Sequence, residues 1–276
     1  MRSTTNEETS EGSDVVWTHE VKLDEAVTFR TGRRGASMVA EWPGLATLAC
    51  APDGTRARLA PARSASPGAI EKLRRGQVRA LLRDLSGGLA LHASGVALGR
   101  QAVLFVGPSG VGKSTAAAEM CLHQQALLLA DDIALVDAGE ANVRVLPCEE
   151  DHWLDSEACR ALGISPRRGR SSWNKRKLRA GGVAVEAATL ALVVMLRFDA
   201  SLGKPAVRRV RGGDAARSLL EAAIRFDVED RLARTRELEQ VTNVYAQARV
   251  IELARPMSPQ GGVAEFVTSA LQGSVR

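Results

Sequence analysis

Glycines at positions 107, 110 and 112, a lysine at 113 and a serine at 114 stand together in the run GPSGVGKST, residues 107–115. The spacing G-x-x-x-x-G-K-[ST] suits a polyphosphate. Glycine lets the backbone curl so that N–H groups point at phosphate oxygens, a following helix adds its positive end, and the lysine brings a mobile cation. The flanks fit, with apolar AVLFV before and helix-prone STAAAEM after, giving strand, loop and helix. Gly107, Ser109, Gly110, Val111, Gly112, Lys113, Ser114 and Thr115 are therefore read as nucleotide contacts, with the Ser114 hydroxyl offered to magnesium.

Asp131 and Asp132 close the apolar run ALLLA, at the distance from the loop where the next core strand belongs. Phosphoryl transfer calls for a carboxylate that orients or deprotonates the attacking hydroxyl, and for one that addresses the metal. Neighbours on an extended strand point to opposite faces, so the two aspartates need not share a task. Either can be the base, and Asp132 joins Ser114 as a candidate metal ligand. His92, in LHASGVAL, lies on an alternating run where a histidine is ordinarily a core or strand-end residue. His19, His123 and His152 are read as structural or surface residues.

These residues need elements to hold them. A polar, acidic stretch over residues 1–14 offers nothing to bury and is expected to be disordered. Residues 15–65 carry short β-type runs such as AVTFR and LATLA between Gly, Pro and Asp-Gly turns, which predicts a small β-rich module. A helix is predicted next, with Ser66 as N-cap, Pro67 in the first turn, apolar Ile70, Leu73, Val78, Leu81, Leu82 and Leu85, and Gly87 as the stop. Beyond the aspartates come a strand, a turn around Ala138, Gly139 and Glu140, and a further strand. LALVVML, residues 190–196, reads as a strand covered on both faces. Two helical stretches, the strand RVIEL and a capped helix from SPQGG onward complete the chain. The fold class is thus α/β with a partly antiparallel, mixed sheet, the domain running over residues 66–276.

The succession LHASGVAL, VLFVGPSGVGKST and LLLADDIALV resembles the catalytic domain of the HPr kinase/phosphorylase family and its shorter relatives. Gly107, Ser109, Gly110, Gly112, Lys113 and Ser114 match the family's loop, His92 its strand histidine, and Asp131 and Asp132 its acidic pair. The resemblance covers residues 89–137 closely and the rest of the C-terminal part more loosely. It implies a P-loop kinase core that uses ATP and magnesium to phosphorylate a serine-type hydroxyl on a peptide or protein. It also gives Lys113, His92 and the aspartate pair catalytic roles, and implies a possible homo-oligomer. The family's Glu-Ile-Arg-Gly stretch is missing. LPCEEDHWLDSE stands in its region, where Glu149, Glu150, Asp155 or Glu157 could supply the absent carboxylate, and a reverse phosphorylase reaction is not expected. The small β module before the core is similar to the short relatives, including kinases of lasso-peptide biosynthesis that modify a precursor peptide.

Residues 166–180, PRRGRSSWNKRKLRA, hold seven cations and no acid, and are expected to form a loop that reaches phosphates or an acidic acceptor. Trp173 within it could stack on a base or a partner. Arg208, Arg209 and Arg211 are read as surface. A net charge of +5 selects no partner by itself, and aromatics at 4% are too few for a stacking platform, so nucleic acid is not expected. Neither a signal peptide nor a membrane-length apolar run is present, and Cys50, Cys121, Cys148 and Cys159 show no metal spacing, so a cytoplasmic protein with reduced thiols is expected. A small-molecule kinase acting on serine or a sugar, and a non-catalytic nucleotide switch, are the competing classes.

Overall fold

A computed structural model describes residues 14–164, 175–226, 230–256 and 262–273. The expected disordered tail, apart from Asp14, and residues 166–174 of the basic stretch, with Arg167, Arg168, Arg170 and Trp173, lie outside them. The chain divides into two compact units, Met1–Ile70 and Glu71–Arg276.

The first unit is an antiparallel meander of five strands in sequence order: β1 (Val16–Leu23), β2 (Ala26–Arg34), β3 (Ser37–Trp42), β4 (Ala46–Cys50) and β5 (Arg58–Pro61). Asp24 and Glu25 close the first hairpin with φ of 47° and 64°, the left-handed pair that matches the twist of the flanking strands. Phe29, Val39, Trp42 and Leu48 are buried, with the Phe29 and Trp42 rings 5.1 Å apart.

The predicted helix after Ser66 is not one regular helix. Ser66 Oγ does accept from Ala69 N at 3.3 Å, starting α1 (Pro67–Leu73). A π-helical turn, Arg74–Val78, then separates it from α2 (Arg79–Leu85), and Gly87 at φ 78° ends the run as predicted. The widened turn sits where Arg75 comes within 3.5 Å of Glu149 and 3.7 Å of Glu150 and Asp151. It also includes Gly76, whose low helix preference eases the departure from α geometry.

The second unit is built on a nine-stranded mixed sheet. Its strands are β6 (Leu89–Leu91), β7 (Ser94–Leu98), β8 (Gln101–Val106), β9 (Leu127–Ala130), β10 (Ala134–Ala138), β11 (Val143–Leu146), β14 (Ala188–Phe198), β15 (Ala206–Arg209) and β16 (Arg249–Arg255). Their order along the sheet is β6-β10-β11-β14-β8-β7-β9, with β16 also pairing β14 and β15. β14 is parallel to both β8 and β16, and the other pairs are antiparallel. A separate ribbon joins β12 (Asp151–Asp155) to β13 (Lys175–Arg179), so the end of the predicted basic loop is a strand. Its alternation fits pairing with an acidic partner strand: Lys177 binds Asp151 at 2.9 Å and Arg179 binds Glu150 at 2.5 Å.

Side chains of β8 alternate between two cores, as a strand covered on both faces requires. Leu104 and Val106 pack with α5 (Gly213–Ala222) and α6 (Arg231–Gln247) through Ala215, Leu219, Val241 and Val244. Val103 and Phe105 pack with α3 (Lys113–His123) and α7 (Val263–Leu271) through Ala116, Met120, Val267 and Ala270. A short α4 (Ser156–Ala161) rests Cys159 against α3. Among the described residues, no helix is long and apolar enough to cross a membrane.

Candidate active site

The glycine-rich loop joins the end of β8 to the start of α3, the strand–loop–helix order that the sequence predicts. Gly107 has φ 140°, and a Cβ there would lie 2.5 Å from Leu196 O on neighbouring β14. Gly112 has φ 92°, and its Cβ would lie 2.7 Å from Arg255 Nη2. At Gly107 the loop thus runs too close to the β14 backbone for a side chain, while at Gly112 the left-handed backbone is what disfavours one. The first turn of α3 leaves N–H groups without intrahelical acceptors. Lys113 is buried and folds back over the loop, its Nζ donating to Gly107 O at 2.9 Å and Pro108 O at 3.0 Å. Backbone donors, a cation and a cradle of restricted width fit a phosphate anion.

Asp131 and Asp132 stand together at the end of β9 and part immediately. Asp131 is 4% exposed, accepting from Ser94 Oγ at 2.7 Å with Oδ1 and from Trp153 N at 2.7 Å with Oδ2. Its carboxylate ties β9 to the first residue of β7 and to β12. Asp132 leaves the extended conformation altogether, at φ 76°, and its side chain is 46% exposed. The two carboxylates therefore diverge through a left-handed residue, and not through the alternation of one extended strand. His92 Nε2 lies 3.4 Å from Asp132 Oδ1.

His92 is not within a strand, as the sequence pattern suggests, but in the bend between β6 and β7. The run splits because β6 pairs with β10, whereas β7 pairs with β8 and β9. The main chain of His92 is fixed by the end of α5: its N–H donates to Ala222 O at 2.7 Å, and Ile224 N donates back to Ala90 O at 2.9 Å. Its side chain lines a cleft of about 320 Å³ together with Gly107, Pro108 and Ser109, so the structure brings the histidine and the glycine loop to one space.

The other side of that cleft has no counterpart in the sequence motifs. Met195, Leu196 and Arg197 of β14, Glu221 of α5 and Glu252 of β16 line it. Arg197 donates to Glu252 Oε1 at 2.9 Å and Asp199 Oδ2 at 2.8 Å. Arg208 grips Glu252 with two hydrogen bonds, at 2.9 and 2.8 Å, so it is an ion-pair partner and not only surface. The hydrogen bonds from Arg208 hold the Glu252 carboxyl below its usual range. Arg255, at the end of β16, donates to Val111 O of the loop at 2.5 Å across a sequence separation of 144 residues. No local spacing announces that contact.

Of the acidic residues weighed as replacements for a missing carboxylate, three are engaged elsewhere. Glu149 accepts from the N–H groups of Glu150 and Asp151, Glu150 pairs with Arg179, and Asp155 caps α4 through Ala158 N at 2.7 Å. Glu157 is exposed in the first turn of α4. Among the described residues no group of three or more His, Cys, Asp or Glu side chains could hold a metal ion. Magnesium bound with a nucleotide needs no such cage, because phosphates and water supply most of its ligands. His152 is buried, and burial lowers its pKa, which favours the neutral ring of a structural residue. Burial pushes the Cys148 thiol up to about 11 and the Cys121 thiol up to about 12, which argues against either as a thiolate nucleophile.

No family model matches the chain, and no curated protein matches it. Among solved structures, the HPr(Ser) kinase/phosphatase from Coxiella burnetii is similar at a TM-score of 0.36 and 11% identity, over 67% of this chain and 88% of that one.

Proposed function

We propose that the chain is a kinase that moves the γ-phosphate of ATP, with magnesium, to a serine or threonine hydroxyl of a peptide or protein. The observation that carries this reading is the convergence of His92, within 3.4 Å of Asp132, and the glycine loop on one cleft. The order of the three motifs, which resembles that of HPr-kinase-like enzymes, supports the same chemistry.

The loop N–H groups and Lys113 bind the phosphates of ATP. Lys113 is already directed into the loop, so it exchanges carbonyl partners for phosphate oxygens. Asp132 is the base: its carboxylate is accessible, whereas both oxygens of Asp131 are committed to holding strands together. Asp132 takes the proton as the acceptor oxygen bonds to the γ-phosphorus and the bond from that phosphorus to the β,γ-bridging oxygen breaks, releasing ADP. His92 positions Asp132 and the transferred group through its ring. Ser114 and Asp132, with the phosphates, would hold magnesium, and the ion would supply charge neutralisation there. A ribosomal precursor peptide is one acceptor that fits this scheme.

The test is transfer of labelled γ-phosphate to a serine-bearing precursor peptide, HPr and free serine, in wild type and Lys113→Ala. Label on a peptide or protein, lost in the variant, is the expected result. Undiminished transfer in Lys113→Ala overturns the reading, and label on free serine alone reassigns the chain to metabolite kinases.

A further inference from the structure

We infer that Glu221 selects the acceptor, and that the hydroxyl to be phosphorylated lies in a peptide with a lysine or arginine beside it. The inference rests on the kinase reading of the same cleft and reverses the acidic acceptor that the basic stretch suggests.

Among the described residues, three formally charged side chains line the cleft: Arg197, Glu221 and Glu252. Arg197 is satisfied by Glu252 and Asp199, and Glu252 in turn by Arg197 and Arg208. Glu221 alone of the three makes no ion pair or side-chain hydrogen bond among the described residues, and it is exposed. Among the described lining residues Glu221 is therefore the one carboxylate outside an ion pair, with Arg217 four residues before it on α5.

Its position is fixed relative to the reacting groups. Glu221 precedes Ala222, whose carbonyl accepts from His92 N at 2.7 Å, so the last turn of α5 and the histidine share a backbone contact. That turn is the negative end of the helix, which adds to the field of the carboxylate. Arg225 caps the same turn at Leu220 O, but it is held by Glu237 and does not line the cleft. In the basic stretch, the described cations Lys177 and Arg179 are paired with Asp151 and Glu150, which removes them from the argument for an acidic acceptor. A cation next to the acceptor hydroxyl complements this wall, and an acidic neighbour is repelled by it.

The experiment uses the full chain and serine-centred peptide libraries, degenerate except for a fixed lysine or a fixed glutamate at one of the three positions on either side. Transfer from labelled ATP is compared for wild type, Glu221→Gln and Glu221→Lys. Binding of the same peptides, dye-labelled, is followed by fluorescence anisotropy without ATP, which reads Glu221 whether or not phosphate moves. The expected wild-type preference for lysine at the best position is about tenfold, falling towards one in Glu221→Gln and inverting in Glu221→Lys. A preference identical in all three proteins, or a wild-type preference for glutamate, overturns the inference. ATP binding that depends on Lys113 with no peptide bound or labelled overturns it while sparing the nucleotide site. Absence of ATP binding removes the kinase reading, and the anisotropy ratios still decide whether Glu221 discriminates charge.

Discussion

Asp131 and Asp132 are neighbours in sequence and answer to different surroundings. Asp131→Ala leaves Ser94 Oγ and Trp153 N without their buried acceptor, so it should lower the unfolding free energy by about 1–3 kcal/mol in urea titration. Asp131→Asn should cost less, because an amide can accept from Trp153 N and donate to Ser94 Oγ. Asp132→Asn should leave stability within about 0.5 kcal/mol, since asparagine tolerates the left-handed backbone, yet cut phosphate transfer by roughly 10² to 10⁴. Equal loss of stability in Asp131→Ala and Asp132→Asn would contradict this division of labour. The residue types were legible from the motifs: the glycines, Lys113, the aspartate pair and His92 stand at spacings with a physical reason. Their division of labour was not, because Ser94 and the Trp153 backbone reach Asp131 from 37 and 22 residues away.

At the scale of elements, periodicity located most helices and strands but not the contacts that end them. The last helix shows this. A cap near Ser258 falls outside the described residues, while the observed start of α7 is held by Glu119 of α3, which accepts from Gly262 N at 3.2 Å and Ala264 N at 3.0 Å. A buried carboxylate on another helix thus does what a local serine or aspartate usually does. Glu119→Ala should cost about 1–3 kcal/mol, with faster hydrogen exchange in α7 as its signature. Unchanged exchange there would show that α7 is held by its apolar face alone. The π-helical turn was illegible for a related reason, since the acids that Arg75 approaches lie more than seventy residues downstream. The strand at 175–179 was missed because Lys177 and Arg179 are balanced by Asp151 and Glu150 of the facing segment and not by neighbours in their own sequence.

For the molecule as a whole, hydrophobic runs disclosed strands covered on both faces, but the order β6-β10-β11-β14-β8-β7-β9 depends on pairings far apart in sequence. β14 occupies the middle of that order. It is eleven residues long, runs parallel to β8 on one edge, and is flanked by β11 and then β16 on the other. Strands so enclosed open only when the whole unit does. In deuterated water the amides of Val193 and Val194 should therefore keep the clock of global unfolding, trailing those of the exposed β1 by orders of magnitude. Exchange at Val193 and Val194 as rapid as in β1 would refute that ranking. Met195 and Leu196 continue the same strand into the cleft, which sets the slowest part of the molecule directly beneath the place where phosphate is proposed to change hands.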